Sequence, residues 1–306
     1  MDGLTVAVPT RDRQAQALEA VEAIAPQLEP EDELIVVDNG SEDGTAEALT
    51  AFFADRLRAG RVAVEPEGGI SVARNRALAE ARREVVCFVD DDVRVEAGWL
   101  AALRRSWAGS GPKVACIGGP MRPDWGAPRP PWLADYLLYV ISILDLGRER
   151  RRLDQTPGRG YVWGGNLSVR VAAAREAGGF DPERGIRPEA PSDRGEEEEL
   201  QRRLVRAGHE VWYEPEAVTC HLIPAERLTE NFFAAAFRAR GRAEARDGPG
   251  RRVHGVSELA RGIARYGALL VLRRPEAPSA RFTCVYAWSL LTAGRARAPN
   301  PPASAL

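Results

Sequence analysis

The chain has 306 residues, 44% hydrophobic and 28% charged, with a net charge of −2 at neutral pH. That length suits one large α/β domain with an appendage, or two modest domains. The composition excludes a disordered chain, and the near-neutral balance argues against a general nucleic-acid binder.

The charge is uneven. Residues 238–297 carry thirteen arginines against four acids, so a basic C-terminal module follows an acidic body. Cys87, Cys116, Cys220 and Cys284 are widely spaced without a C-x-x-C pair, which indicates neither a zinc site nor a disulfide framework. No apolar run approaches the ~18 residues that cross a bilayer, and the first residues lack a signal layout. The expected address is cytoplasmic, with a peripheral position at the inner face of the membrane as an option.

Leu4 to Val8 is a short apolar run closed by Pro9-Thr10, then a polar RDR, then a helical pattern from Gln14 to Leu28. A second strand, Glu33 to Val37, ends in DNGSEDGT and leads to a helix from Thr45 to Leu57. A third strand covers Val62 to Val64. Gly68 and Gly69 then precede a helix that Ser71 can cap and that carries Arg74 and Arg76. The run VVCFV, residues 85–89, is too continuous for a half-exposed strand, and Asp90, Asp91 and Asp92 follow at once. Four strands alternating with helices indicate βαβ units and a parallel sheet. Ligands bind outside the carboxyl ends of such strands, where Asp38, Arg74 and the three aspartates would converge. A divalent cation with a phosphate behind it would relieve the repulsion among adjacent carboxylates; a solvated turn is the plainer alternative.

Trp99 to Trp107 reads as a helix, Val114 to Ile117 as a strand, and GGPMRPDWGAPRPPWL as a Pro-rich loop. Asp135 to Leu146 is mostly apolar, a buried helix or packing element. Trp163, Gly164, Gly165 and Asn166 combine an aromatic, two glycines and a carboxamide ahead of a short strand, which suits a sugar platform or a simple turn. In GEEEELQRRL, Glu198 and Glu199 lie four residues before Arg202 and Arg203, a surface pairing. Glu196 and Glu197 fall at helical spacing from Leu200 and Leu204, which turns them toward the domain body. Strands at Val211 to Tyr213 and Ala217 to Thr219 precede His221. Three helical stretches follow, NFFAAAFRARGRAEAR, Ser257 to Arg273 and Ala280 to Arg295, before a tail at 299–306 expected to be disordered.

The ordered motifs VAVPTRDR, IVVDNGSEDGT, GGISVARNRAL, VCFVDDDV, WGGNLSVR, GGFDPE, GEEEELQRRL and YEPEAVTCH resemble those of family 2 glycosyltransferases of the GT-A type, from about Leu4 to His221. The resemblance implies a Rossmann-like, mostly parallel sheet flanked by helices. It divides the chain into a catalytic domain over 1–222, with a nucleotide-sugar half (1–118) and an acceptor half (119–222), and a C-terminal helical region over 223–298. It further implies an inverting, metal-assisted transfer from a nucleoside-diphosphate sugar to a sugar, lipid-linked or small-molecule acceptor. Pro9, Thr10, Arg11 and Asp38 would surround base and ribose, and Arg74 with Asn75 would lie near the diphosphate. Asp90 and Asp91 would serve the donor, with Asp91 at the variable middle position. Asp92 and His221 would hold Mg2+ or Mn2+. The family's usual Gly-Glu-Asp puts its general base at Asp; here Glu197 aligns with it, one methylene longer, with Glu196 as the second candidate.

Two other readings remain open. A catalytically silent GT-A module would bind nucleotide-sugar or a partner protein, and the Glu at 197 is what favours it. A sugar nucleotidyltransferase would want a glycine-rich phosphate loop after the first strand, which PTRDR lacks. The C-terminal helices, with Tyr266, Tyr286 and Trp288 among arginines, suit a membrane surface, packing on the catalytic domain, or a homodimer contact.

Overall fold

A computed structural model describes residues 3–57, 59–155, 160–190, 193–245, 262, 264 and 277–292. The chain divides into two compact units. One comprises Met1–Pro128 and Leu138–Ala225, the other Arg129–Leu137 and Glu226–Leu306.

In the first unit, the strands are β1 (Thr5–Thr10), β2 (Glu33–Asp38), β3 (Gly60–Val64) and β4 (Val85–Phe88), joined by helices α1 (Gln14–Ile24), α2 (Thr45–Arg56) and α3 (Ile70–Glu80). Every residue of β1, β2 and β4 is buried, which is why their sequences are continuous apolar runs instead of alternating ones. After β4 come β5 (Val93–Val95), α4 (Trp99–Ala108), β6 (Val114–Gly118), β7 (Met121–Trp125), β8 (Arg151–Arg152), β9 (Leu167–Arg170), α5 (Val171–Glu176), α6 (Glu196–Arg206), β10 (Glu210–Tyr213) and β11 (Thr219–Ile223). The main sheet has the order β3-β2-β1-β4-β9-β6-β10-β8, and a smaller sheet has the order β5-β11-β7.

The sheet is mostly parallel, but β9 runs antiparallel between β4 and β6, and β8 antiparallel to β10. Helix α4 locks β9 in place: the Trp107 indole donates to Ser168 Oγ at 2.8 Å, and that hydroxyl donates to the Ile117 carbonyl at 2.6 Å. Four local expectations change. The stretch read as a Pro-rich loop contains β7, whose Pro123 is tolerated because β7 is the edge strand of its sheet, with β11 on one side. The strand expected at Ala217 to Thr219 starts at Thr219. The segment at Asp135 to Leu146 is a short 3-10 turn, Asp135–Ile141, ended by Ser142 at φ 58°, after which Leu144 bridges to Met121. Ser71 does not cap α3; Gly69 occupies the cap position, and the Ser71 hydroxyl donates to the Arg184 carbonyl.

The second unit holds α7 (Glu230–Ala245) and α8 (Ala277–Thr292). Phe282, fully buried, stacks on Phe237 with ring centroids 5.7 Å apart and 8° between planes. Trp132 meets Phe233 edge-on at 5.1 Å and lies 5.7 Å from Phe282. That aromatic partnership explains why Arg129–Leu137, expected in the acceptor half, belongs with these helices. Gly241 lets α7 and α8 approach, since a Cβ there would lie 2.6 Å from the Tyr286 carbonyl oxygen. The stretch Ser257 to Arg273, apart from 262 and 264, Tyr266 and the tail at 299–306 lie outside the described residues. Among the described residues, no helix is long and apolar enough to cross a membrane.

Candidate active site

The register of the sheet brings the sequence motifs together. Thr10 at the end of β1 pairs with Asp38 at the end of β2, and β4, on the other side of β1, delivers Asp90, Asp91 and Asp92 just beyond its last residue. Strand order reverses around β1, which makes this edge the switch point where open α/β sheets bind ligands.

The three aspartates have different surroundings. Asp91 is buried and occupied on both oxygens: the Thr10 hydroxyl donates to Oδ2 at 2.8 Å, and Arg13 Nη1 donates to Oδ1 at 2.8 Å. Burial pushes its carboxyl up to about 6; Asp92 adds to the rise, while Arg13 and Thr10 oppose it. Asp90 accepts from Arg74 Nη2 at 3.0 Å and stays about a third exposed. Asp92 Oδ2 lies 3.4 Å from Arg13 Nη1, and its Oδ1 lies 3.5 Å from His221 Nε2.

Arg74 ties this cluster to α6. Its guanidinium is buried and donates through Nη1 to Glu196 Oε1 at 2.7 Å while Nη2 holds Asp90. Gly164 makes room for it, because a Cβ at that position would stand 2.2 Å from Arg74 Nη2. Gly195, at φ 94°, turns the chain into α6, whose first turn carries Glu196, Glu197, Glu198 and Glu199. Acids are favoured there by the helix dipole. Glu199 pairs with Arg203 at 2.6 Å, and Glu198 lies 3.7 Å from Arg202, as the spacing predicts, although Glu198 is buried.

Glu197 Oε2 is shielded from solvent and has no hydrogen-bond partner. Burial raises the Glu197 carboxyl to about 8, Glu196 and Glu198 push the same way, and Arg74 opposes them. Asp38 Oδ1, Trp163 Nε1 and Glu196 Oε2 are likewise buried without a partner. Native buried polar groups are rarely left so, and a bound substrate is one source of the missing bonds.

His221 reaches Asp92 through the smaller sheet. In β11 it pairs with Val93, and the Leu222 N–H donates to the Asp92 carbonyl at 3.0 Å. Its Nδ1 is 3.0 Å from the Ile141 carbonyl, which can only accept, so Nδ1 carries a proton, and Nε2 faces Asp92 Oδ1 at 3.5 Å. An imidazole nitrogen and a carboxylate oxygen facing each other can take a cation between them, and a backbone carbonyl behind the ring is the usual support for a metal-ligating histidine. Among the described residues, no group of three or more His, Cys, Asp and Glu is arranged to hold a metal. Two protein ligands fit Mg2+ or Mn2+ when phosphate oxygens and water complete the shell.

Some expected residues have other duties. The Asn75 amide donates to the Phe180 carbonyl at 2.7 Å and its Oδ1 accepts the Phe180 N–H at 2.8 Å, so it holds a loop instead of facing a diphosphate. Asn166 is buried, donating to the carbonyls of Pro120 and Ala217 and accepting from the Trp99 indole, which leaves no amide hydrogen for a sugar. Gly165 packs against Asp90, with a built Cβ 3.0 Å from Oδ2, and Trp163 is buried beside Gly164. Pro9 is buried, and half-exposed Arg11 lies 3.5 Å from Asp12. Arg13 went unnoticed in the sequence. Its only signal was a second cation in RDR, and nothing local distinguishes it from Arg11.

A Rossmann-like sheet with an acidic cluster at its switch point and a second carboxylate-bearing helix beside it defines a GT-A-type glycosyltransferase fold. The profile described as Glycosyl transferase family 2 matches residues 5–177, more than half of the chain, and the chain belongs to that family. It is 23% identical over 184 residues to the glucosyl-dolichyl phosphate glucuronosyltransferase of Haloferax volcanii, covering 60% of this chain and 56% of that one. It is 31% identical over 159 residues to a pre-mycofactocin glycosyltransferase of Mycobacterium tuberculosis, covering 50% and 30%. The chain thus spans 56% and 30% of the length of these two curated relatives. Among solved structures, the mannosyltransferase PcManGT from Pyrobaculum calidifontis, in complex with GDP-Man and Mn2+, superposes with a TM-score of 0.66 at 20% identity, covering 94% of this chain and 86% of that one. GalNAc-T7 with UDP, GalNAc and Mn2+ gives 0.56 at 16% identity, covering 77% and 47%.

Proposed function

We propose that this chain transfers a sugar from a nucleoside-diphosphate sugar to an acceptor hydroxyl with inversion at the anomeric carbon, assisted by Mg2+ or Mn2+. What carries the reading is Arg74, one buried guanidinium gripping Asp90 of the aspartate cluster and Glu196 of α6. That bridge puts the donor acids and the candidate base in one place.

Glu197 is the base. Glu196 and Glu197 each have an Oε2 without a partner, but Glu196 is engaged by Arg74 through Oε1, and the raised proton affinity of Glu197 suits removal of an acceptor hydroxyl proton. As the acceptor oxygen attacks the anomeric carbon, that proton passes to Glu197 and the bond to the diphosphate oxygen breaks. Asp92 and His221 would hold the cation, which when bound would offset negative charge on the departing diphosphate. Asp38 and Thr10 border the donor's base and ribose, and Trp163, whose buried Nε1 has no partner, borders the sugar. The GDP-Man and Mn2+ in the Pyrobaculum protein, and the dolichyl phosphate sugar in the Haloferax relative's name, support a nucleotide-sugar donor and leave room for a lipid-linked acceptor.

The test is nucleoside diphosphate release from a panel of nucleotide-sugars, with Mn2+, with Mg2+ and after chelation. Asp92→Ala should abolish both transfer and donor hydrolysis while leaving the fold intact. Wild-type turnover in that variant would remove Asp92 from the cation.

A further inference from the structure

Among the described residues, Arg13 and Arg74 both pair with the aspartate cluster, and they differ in what they are free to do. Arg74 is 3% exposed, and both its terminal nitrogens are committed to carboxylates. Turning it toward a phosphate would leave the buried Glu196 carboxylate unpaired and take the partner from Asp90. Arg13 is 41% exposed and stands at the head of α1, three residues beyond the end of β1. Only its Nη1 is engaged, at 2.8 Å from Asp91 Oδ1 and, less closely, 3.4 Å from Asp92 Oδ2. Among the described residues, its Nη2 and Nε make no other hydrogen bond.

We propose that Arg13, not Arg74, is the guanidinium that receives the donor's diphosphate, and that in doing so it gives up Asp92. Asp91 is the anchor. Fixed by Thr10 and buried, it keeps its 2.8 Å bond to Nη1 while the rest of the fork turns to phosphate oxygens, which the planar guanidinium can bind in pairs. Asp92 is the shared partner, with Arg13 on Oδ2 and His221 on Oδ1. Without nucleotide, Arg13 occupies one face of the carboxylate that the cation needs. With nucleotide, Arg13 withdraws from Oδ2, so donor and cation binding reinforce each other through one side chain. The buried middle aspartate thereby gains a role as the residue that aims Arg13.

The inference rests on reading the site as one for a nucleoside-diphosphate sugar, and the experiment separates the two. Titration calorimetry on the full chain would measure ADP, CDP, GDP, UDP and dTDP with Mn2+ present, and electron paramagnetic resonance would measure Mn2+ alone, for wild type, Arg13→Met and Arg13→Lys. Arg13→Met should raise the Kd of the best nucleoside diphosphate at least tenfold and Arg13→Lys by less. Mn2+ without nucleotide should bind Arg13→Met as tightly as wild type or more tightly, since a competing cation is gone. A change under tenfold overturns the proposal. So does a parallel loss of Mn2+ affinity, which would mean that Arg13 merely holds the aspartates in place. If wild type binds none of the five nucleotides, the reading of the site fails and the Arg13 inference falls with it. Arg13→Gln takes the place of the Met variant should the latter not fold.

Discussion

Replacing Arg74 by methionine tests the central contact of the site. The substitution keeps a similar apolar stem but removes the cation from a buried cluster of Asp90, Glu196 and Glu197. Removing one partner of a buried ion pair typically costs about 3–5 kcal/mol, because the remaining charges stay buried and unpaired. The Glu196 arm should dominate, since that carboxylate is 7% exposed whereas Asp90 is 32% exposed and partly screened by water. The penalty must depend on pH. Without Arg74 the folded-state carboxylates bind protons more tightly than the unfolded ones, so stability declines as pH rises above the unfolded carboxylate range near ~4.3. Urea unfolding followed by tryptophan fluorescence at pH 5.5 and pH 8 measures both effects. The expected result is a loss of about 3–5 kcal/mol at pH 8, on the order of 6–20 °C in Tm, and a clearly smaller loss at pH 5.5. A loss below ~1 kcal/mol, or one equal at the two pH values, would refute the argument that Arg74 neutralises this cluster.

Glu197→Gln should lower kcat by a factor of roughly 10²–10⁴, the usual worth of a positioned base, with little effect on nucleotide affinity. Because a base must be deprotonated, wild-type kcat/KM should rise with pH through an alkaline-shifted ionisation, and the Gln variant should lose that limb. The same residue should weaken the fold. A carboxyl raised to about 8 favours the protonated folded state, so wild type loses stability between pH ~4.3 and 8, and Glu197→Gln should unfold later than wild type at pH 8 but not at pH 4. Gly164→Ala places a methyl 2.2 Å from an Arg74 guanidinium that two carboxylates pin, so a destabilisation of about 1–3 kcal/mol is expected together with loss of transfer. In the other unit, Phe282→Ala empties a site filled by Trp132, Phe233 and Phe237, and should cost about 3–5 kcal/mol, read as earlier melting of α7 and α8 by hydrogen exchange.

Legibility from sequence followed the range of the interaction. Strands β1, β2 and β4 were evident as apolar runs because burial on both faces writes itself into consecutive residues. The aspartates at the β4 end were evident for the same reason. Strand direction was not: β9 reads like any short strand, and its antiparallel course depends on partners about fifty residues away in β6 and about eighty in β4. The two asparagines misled for a related cause. An Asn beside an Arg or a glycine pair suggests a ligand contact, and only the fold shows the amide of Asn75 closed on Phe180, and that of Asn166 closed on Pro120, Ala217 and Trp99.

The acids of α6 show how the remaining ambiguity resolves. Four consecutive glutamates are equivalent as a string, and helical geometry alone separates them only into two facing the body and two facing arginines. What distinguishes Glu196 from Glu197 is a cation contributed from 122 positions earlier in the chain: Arg74 takes Glu196 and thereby leaves its neighbour with a buried oxygen and a high proton affinity. The base is thus defined by which carboxylate the arginine does not hold. On that logic, Glu196→Gln should be the informative control for Glu197→Gln. It removes the charge that Arg74 neutralises and a repulsive neighbour of Glu197, so Arg74 should draw closer to Glu197 and lower its pKa. The activity limb in the pH–rate profile should then move toward acid, not vanish. A profile unchanged from wild type would mean that the two carboxylates do not sense one another, and the assignment of the base would lose its physical ground.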